Sequence, residues 1–314
     1  MITFNAHIKI DSVGLDVRDF ANARLYEADT QRVLNILVHT RTGSAVTQAI
    51  AMGKKSLIIR PYSAADRASA RFNAYATEKN PDTSTIKGGH WTDTSGGRHR
   101  GLGGGSDSFI HFSSSTWAAF EKQRRGHHSG ASPDEVLLHE MVHALRMLIG
   151  MSESVALGHL YDDEEEFFAI LIANIYVSEL NRRDDLRSDH HGFRRLSENQ
   201  DTSEEFLPKA DTNDYRYRLV RKLVMQEPFL CMNLANVPGT FNPIRRYFDL
   251  QTPAVQRQQS SQPPGTTPPT TPAKPKLKPT PIYDFLPDAN GHGTMLARGL
   301  FGKFGPENPL GFFA

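Results

Sequence analysis

The pattern of apolar and polar positions along the chain predicts several helices and a few short strands. In residues 29–51 apolar side chains recur every three or four positions, which predicts an amphipathic helix interrupted near Gly43. Residues 56–60 have the apolar, β-branched character of a short strand. A polar, glycine-rich stretch at 80–108 leads into a second strand-like run at 108–112. We therefore expect a turn-rich hairpin that ends in this second strand.

Three further helices follow from helical spacing and from capping signals. The segment Ser132–Glu135 supplies an N-cap serine, a proline at the first helical position and a capping-box glutamate, and Gly150 is the matching stop. A second helix is expected over 162–180, apolar on nearly every side after an acidic start. Helical spacing returns at 215–236, with Pro228 as the predicted break.

These elements predict an α+β fold, mostly helical, with a small sheet at one edge. The ordered domain is expected to cover residues 1–250. Nine of the nineteen prolines fall in 251–281, which predicts an extended linker. The remaining residues, 282–314, are expected to be a short tail rich in glycine and phenylalanine.

Charge and composition exclude several function classes. Lys+Arg (36) and Asp+Glu (35) nearly cancel, and no long basic stripe is interleaved with aromatic residues, so we expect no nucleic-acid partner. The single cysteine, Cys231, excludes internal disulfides and cysteine-based zinc sites, and is expected to be a packed small residue. The first residues lack the pattern of a classical signal peptide, and no apolar run has the length of a membrane span, so we expect no membrane partner.

The helix that begins after Ser132 carries the motif His-Glu-x-x-His at His139, Glu140 and His143. Histidines four residues apart lie on one helical face, within reach of a single Zn²⁺, and the glutamate beside them is placed to accept a proton from water. The alternative is a chance occurrence of the motif. The metzincin extension is excluded because Arg146 and Ile149 stand where that class carries glycine and histidine.

A third zinc ligand is expected from the acidic start of the following helix. Glu166 is preferred because its helical face continues through the small residue Ala169, which allows close approach to the first helix. Glu165 remains the alternative, although it shares its face with the bulky Phe168. An acidic helix start stabilised only by the helix dipole is the interpretation without a metal.

The His-Glu-x-x-His motif followed by Glu-Phe-Phe-Ala at 166–169 resembles the gluzincin-type peptidases of bacterial pathogens, exemplified by anthrax lethal factor. In that group the glutamate before Phe-Phe-Ala is the third zinc ligand, which implies this role for Glu166. Over about residues 30–250 the chain is similar to the NleD-like zinc-peptidase effectors that type III secretion systems inject. That resemblance implies a protein substrate, with host signalling proteins such as MAP kinases as one class. Ile170 departs from the thermolysin branch, which has an aspartate there, so another group must orient an imidazole.

Other roles follow from this assignment. Tyr161 is a candidate donor to the oxyanion, since lethal factor also has a tyrosine before its ligand glutamate; the alternative is a packing tyrosine. The strand at 108–112 is expected either to pair with an extended substrate or to be an ordinary internal strand. Two histidine pairs are interpreted as exposed loop residues, with metal binding as the less common alternative: His127 and His128, and His190 and His191.

The function expected from the sequence is that of a zinc-dependent endopeptidase with Glu140 as general base, delivered into a target cell by a specialised secretion system and otherwise cytoplasmic. One alternative is an interbacterial toxin peptidase with the same chemistry. The other is a non-catalytic binding module on the same scaffold. The cleavage site and the oligomeric state are left open.

Overall fold

The structure is a computed structural model that describes residues 1–13, 20–63, 66, 73–123, 130–157, 160–190 and 194–251. The predicted tail, and the predicted linker apart from Gln251, lie outside the described residues, as do His127, His128 and His191. None of the helices in the described ranges has the length and apolar character that crossing a membrane requires.

The described part of the chain is a mixed α+β fold, about half helical, with a small sheet. The strands are β1 Ile2–Thr3, β2 Ile8–Ile10, β3 Leu57–Arg60, β4 Tyr75–Glu78, β5 His90–Thr92, β6 Arg98–Arg100 and β7 Ser108–His111. The helices are α1 Phe20–Val38, α2 Arg41–Ala51, α3 Pro81–Ser84, α4 Ser114–Gln123, α5 Pro133–Ile149, α6 Glu164–Glu179, α7 Ser203–Phe206, α8 Tyr215–Gln226, α9 Pro228–Ala235 and α10 Pro243–Gln251.

The main sheet has the strand order β1-β2-β3-β7-β4. Strands β2, β3 and β7 are parallel, and β4 pairs antiparallel with β7, placing Ala76 opposite Ile110. Ile59 and Ile110 are fully buried and face each other across the ladder, which fixes the register. The predicted strand at 108–112 is therefore an interior strand with neighbours on both sides, so pairing of this strand with a substrate was a wrong expectation.

The structure also differs from the predicted hairpin over residues 80–112. Strands β5 and β6 form a separate two-stranded sheet, and β7 follows it as part of the main sheet. One edge of the main sheet is β1, and the other is β4, whose four residues are all half-buried. Its sequence, Tyr-Ala-Thr-Glu, does not alternate between apolar and polar, so periodicity could not identify it.

The interruption predicted near Gly43 lies earlier, between α1 and α2, at His39 and Thr40. Thr40 caps α2, because its hydroxyl accepts the N–H of Gly43 at 3.1 Å. A Cβ atom on Gly43 would lie 2.2 Å from the carbonyl oxygen of Leu37. Glycine at this position therefore permits close approach of the two helices and does not break the second one.

Helices α5 and α6 form the centre of the fold. Helix α5 packs against α6, β4 and β7, and nearly all of α6 is buried, as its apolar sequence predicts. Gly150 ends α5 in the left-handed conformation, with φ of 74°. The capping box differs in detail, since the Ser132 hydroxyl donates to the Glu135 carboxylate at 3.0 Å and makes no capping bond to the helix backbone.

Candidate metal centre

The two motif histidines of α5 converge on one point. Their Nε2 atoms lie 3.1 Å apart, and the rings meet edge to face with centroids 4.8 Å apart. This arrangement follows from the spacing of four residues, which places His139 and His143 one above the other on the helix. Their side chains are only 8% and 11% exposed, so both imidazoles are largely shielded from water.

The first turn of α6 brings Glu166 to the same point. Its Oε2 lies 3.1 Å from Nε2 of His139, and its Oε1 lies 3.4 Å from Nε2 of His143. The backbone N–H of Glu166 donates to the N-cap residue Asp163 at 3.0 Å, which fixes the start of the helix. Ligand atoms about 2.0 Å from a tetrahedral zinc lie roughly 3.3 Å from each other. The three separations have this size.

Glu165, the alternative ligand, is turned to a different cluster. Its Oε2 accepts Nε–H of the fully buried Arg146 at 2.6 Å, and its Oε1 accepts the backbone N–H of Glu153 at 2.8 Å. The same guanidinium donates to Glu227 at 2.5 Å. Glu165 thus holds α6 to α5, whereas the next residue, rotated by about 100° around the helix, faces the histidines.

Burial and charge shift the titration of these groups in opposite directions. Burial raises the pKa of Glu140 to about 7, and burial lowers the pKa of His139 to about 3. Burial opposes charge on His143, but the carboxylates of Glu166 and Glu140 raise its pKa to about 9. Burial alone would raise the pKa of Glu166, but the neighbouring imidazoles lower it. At neutral pH the cluster therefore favours a charged His143 beside a neutral His139 and an ionised Glu166.

The donor set fits a zinc ion. Among the described residues, Oε2 of Glu166 is buried and has no hydrogen-bond partner, although it faces imidazole nitrogens. A cation at the common point would satisfy this oxygen, and two imidazoles with one carboxylate are ligands that zinc accepts. Nδ1 of His139 is also buried and lacks a hydrogen-bond partner among the described residues. The orienting group expected in place of an aspartate at Ile170 is thus not found for this ring.

Glu140 faces the edge of the sheet. The backbone N–H of Ala76 in β4 is near enough to the Glu140 carboxylate to oppose the rise of its pKa, and Glu140 is only 7% exposed. Burial raises the pKa of Tyr62, and the nearby charge of Glu140 adds to the rise. The Tyr62 hydroxyl in turn accepts the indole N–H of Trp117 at 3.0 Å. Glu140 and the edge strand thus lie beside the motif histidines.

His190 is the site residue that sequence reasoning missed. Its Nε2 lies 3.3 Å from Oε2 of Glu166, and its ring stacks on that of His139 with centroids 6.0 Å apart. His139, Glu166 and His190 each offer a ligand atom, and these atoms lie within 4.8 Å of one another. Nδ1 of His190 is 2.7 Å from Oδ2 of Asp162. With 27% of its side chain exposed, His190 is half-buried beside Glu166, which the interpretation as an exposed loop histidine did not anticipate.

Tyr161 has the surroundings of a packing residue. Its side chain is 6% exposed, and its ring packs edge-on against Phe167 with centroids 5.2 Å apart. Burial raises its pKa, and Tyr215 adds to the shift. None of the hydrogen bonds, ion pairs or ring contacts in the described part of the chain joins Tyr161 to His139, His143 or Glu166, so the donor role gains no support from the packing. Cys231 is fully buried, as expected for a packed small residue.

Comparison with known proteins identifies no family for the chain. A scan against protein-family models, a search of curated proteins and a search of solved structures each found no match to the chain. The resemblance of the His-Glu-x-x-His and Glu-Phe-Phe-Ala segments to known peptidases therefore stays a prediction from the motifs. A function has to follow from the geometry of the site itself.

The ligand assignment predicts a large difference between neighbouring glutamates. Glu166→Gln should lower zinc affinity by more than roughly 100-fold, because even partners that only orient ligands contribute about 10–100-fold. Zinc titration against a competing chelator measures this effect. Glu164→Gln is the matched control, since Glu164 lies in the same turn and pairs with Lys222. Equal zinc affinity of Glu166→Gln and the unaltered chain would remove Glu166 from the ligand set.

Proposed function

We propose that the chain is a zinc-dependent endopeptidase with a zincin-like catalytic domain. The observation that carries this proposal is the convergence of His139, His143 and Glu166 on one point with the buried Glu140 beside them. Three protein ligands leave a position open on a tetrahedral zinc, which is the arrangement of catalytic sites and not of structural ones.

A zinc ion held there would lower the pKa of a water molecule to about 7 and polarise the scissile carbonyl. Glu140 accepts a proton from the attacking water, whose oxygen bonds to the carbonyl carbon. The carboxyl group then delivers this proton to the amide nitrogen, the C–N bond breaks, and its electron pair leaves with the amine. The raised pKa of Glu140, about 7, suits a group that both accepts and returns a proton.

Strand β4 is the surface on which an extended substrate can lie. It is one edge of the main sheet, it packs against α5, and its Ala76 N–H is near enough to affect the pKa of Glu140. An added strand would bond to the backbone groups of the edge and bring one peptide bond beside Glu140. We therefore propose a polypeptide substrate bound in extended form along β4, in place of the pairing expected for β7.

Delivery into a target cell and action on a host signalling protein are proposed on the motif resemblance alone. The segments that support this proposal are the His-Glu-x-x-His helix and the Glu-Phe-Phe-Ala run at 166–169. An interbacterial toxin would have the same metal centre. Its substrates would be bacterial proteins, so the identity of the cleaved proteins separates the two proposals.

Metal removal tests the proposed activity directly. We expect about one tightly bound zinc per chain, and complete loss of cleavage after treatment with a chelator, with recovery when zinc is restored. New protein N-termini are identified in cell lysates treated with the zinc-loaded, stripped and reloaded full-length chain. N-termini that appear equally with the stripped chain would contradict a metal-dependent activity, and stable zinc with no new N-termini would favour the non-catalytic binding module.

A further inference from the structure

The two-stranded hairpin β5–β6 presents an exposed basic face that the proposed catalytic site does not use. Its strands pair antiparallel, with His90 opposite Arg100 and Thr92 opposite Arg98. Because side chains alternate between the two faces of a strand, these four residues lie on one face of the hairpin, and all four are exposed. Lys87, which precedes the hairpin, is exposed as well.

The two arginines of this face have no acidic partner. Within the described part of the chain, the guanidinium group of neither Arg98 nor Arg100 takes part in an ion pair or a hydrogen bond. The carboxylate of the hairpin, Asp93, is occupied in the turn, where it accepts the N–H of Gly97 at 2.7 Å and lies 2.7 Å from Nε2 of His99. Residues 86–102 contain three Lys or Arg residues and this one carboxylate, a local positive excess within a chain whose net charge is only +1.

The hairpin is anchored to α3, the short helix that follows β4. Trp91, on the opposite face from the arginines, stacks on His99 with ring centroids 4.4 Å apart and donates its indole N–H to Asp82 of α3 at 2.9 Å. The backbone N–H of Leu102 donates to the carbonyl of the same Asp82 at 2.6 Å. The basic face is therefore held in a fixed place at the carboxyl end of β4.

The free side of β4 leads from the metal centre towards this hairpin. The N–H of Lys79 donates to the carbonyl of Asp107 at 2.8 Å, so alternate residues of β4 bond to β7, and the backbone groups of Ala76 and Glu78 are directed away from β7. The N–H of Ala76 is near Glu140. Because an extended chain rises about 3.3 Å per residue, α3 begins roughly 17 Å beyond Ala76. A polypeptide paired with β4 therefore reaches the hairpin about five to eight residues from the bond beside Glu140.

We propose that the basic face of the β5–β6 hairpin is a specificity subsite, which binds acidic side chains of the polypeptide substrate about five to eight residues from the cleaved bond. Arg98 and Arg100 supply forked N–H donors whose geometry matches carboxylates. This inference rests on the proposed peptidase function and adds the class of substrate, which is a chain with an acidic segment to one side of the cleavage site.

A nucleic acid or a membrane fits this face less well. Single-stranded nucleic acid binds through aromatic rings that stack on its bases, and Trp91 lies on the opposite face, where His99 and Asp82 occupy it. Anionic membranes are recognised by clusters of about four to eight basic residues, whereas residues 86–102 offer three. The position of the hairpin after β4 favours a polypeptide over both.

The test compares the unaltered full-length chain with two double variants, Arg98→Gln with Arg100→Gln and the charge reversal Arg98→Glu with Arg100→Glu. The matched control is Arg218→Gln with Arg221→Gln, which removes two exposed arginines from α8. Each zinc-loaded chain digests a peptide library. Values of kcat and KM are then measured on the best library peptide and on its version with glutamine and asparagine in place of the acidic residues. A substrate-independent arm measures binding of a labelled oligoglutamate peptide, a single-stranded oligonucleotide and phosphatidylserine vesicles.

We expect the unaltered chain to cleave the acidic peptide with a kcat/KM about tenfold above that of the neutral version at low salt, mostly through KM. Added salt should reduce this preference, because it screens exposed charges. The preference should fall below about twofold for the glutamine variant and reverse for the glutamate variant. Zinc affinity, Tm and cleavage of the neutral peptide should stay unchanged in the glutamine variant. Oligoglutamate should bind this variant about tenfold more weakly, and the α8 control should match the unaltered chain.

The outcomes separate this inference from the peptidase proposal. Cleavage without a preference for acidic segments, or a preference that the glutamine variant keeps, would overturn the inference and leave the peptidase proposal intact. If the chain cleaves nothing, the peptidase proposal fails; binding of oligoglutamate that depends on the two arginines then still supports an acidic partner for this face, and its absence rejects one. An oligonucleotide or vesicles that bind more tightly than oligoglutamate, and lose binding in the glutamine variant, would overturn the inference by assigning the face to that partner.

Discussion

Glu140→Gln should abolish detectable peptide cleavage, with a fall in kcat of about 100- to 10,000-fold or more, while the chain keeps its zinc. The amide of glutamine fills the same volume as the carboxylate but cannot accept a proton from water. The three ligand side chains are unaltered. Loss of activity with retained metal therefore separates the base from the ligands.

The measurement is kcat on the best library peptide, together with zinc content of the same preparation. Glu204→Gln is the matched control, because Glu204 is an exposed residue of α7, far from the motif in sequence. Peptide cleavage by Glu140→Gln at the rate of the unaltered chain would end the peptidase assignment. Loss of zinc from Glu140→Gln would show that Glu140 contributes to the site as a ligand.

Local rules predicted the parts of the site that lie within one helix. The spacing of four residues determines the convergence of His139 and His143, and the Ser132 and Gly150 signals correctly marked the ends of α5. The small residue Ala169 favoured Glu166 over Glu165, and in the structure Glu166 is the glutamate that reaches the histidines. In each case the deciding geometry is set within a few residues of the chain.

The parts that sequence reasoning missed depend on contacts between distant residues. His190 reaches the centre because Asn174 and Arg187 anchor its loop, a pairing that neither residue type signals by itself. Strand β4 has no alternation because all its residues are half-buried, so its place at the sheet edge depends on pairing with β7. Tyr161 was a candidate donor by analogy with another peptidase's tyrosine, with packing as the alternative, and its contact with Phe167 depends on the fold and not on that analogy.

Arg146 is the physical reason why Glu166, and not Glu165, faces the histidines. From the sequence, Arg146 served only to exclude the metzincin class. Its side chain is fully buried and donates to Glu165, Glu227, Gln226 and the carbonyl of Met151. Although burial opposes its charge, the carboxylates of Glu165 and Glu227 raise the pKa of Arg146. By binding Glu165, Arg146 fixes the rotation of α6 and leaves the next residue facing the histidines.

Arg146→Met should therefore lower the free energy of unfolding by about 3–5 kcal/mol, since two buried carboxylates lose their partner while the apolar stem is preserved. For a domain of this size the expected fall in Tm is roughly 6–20 °C. Thermal and urea unfolding measure the change, with Arg98→Met on the exposed strand β6 as the matched control.

The same substitution should also weaken zinc binding, because Arg146 lies three residues after His143 and holds the residue before Glu166. Added zinc binds only the folded chain strongly, so it should raise the Tm of Arg146→Met less than that of Arg98→Met. A loss of unfolding free energy below about 1 kcal/mol would contradict the role of this ion cluster. Equal gains in Tm on adding zinc would show that the ligands keep their positions without it.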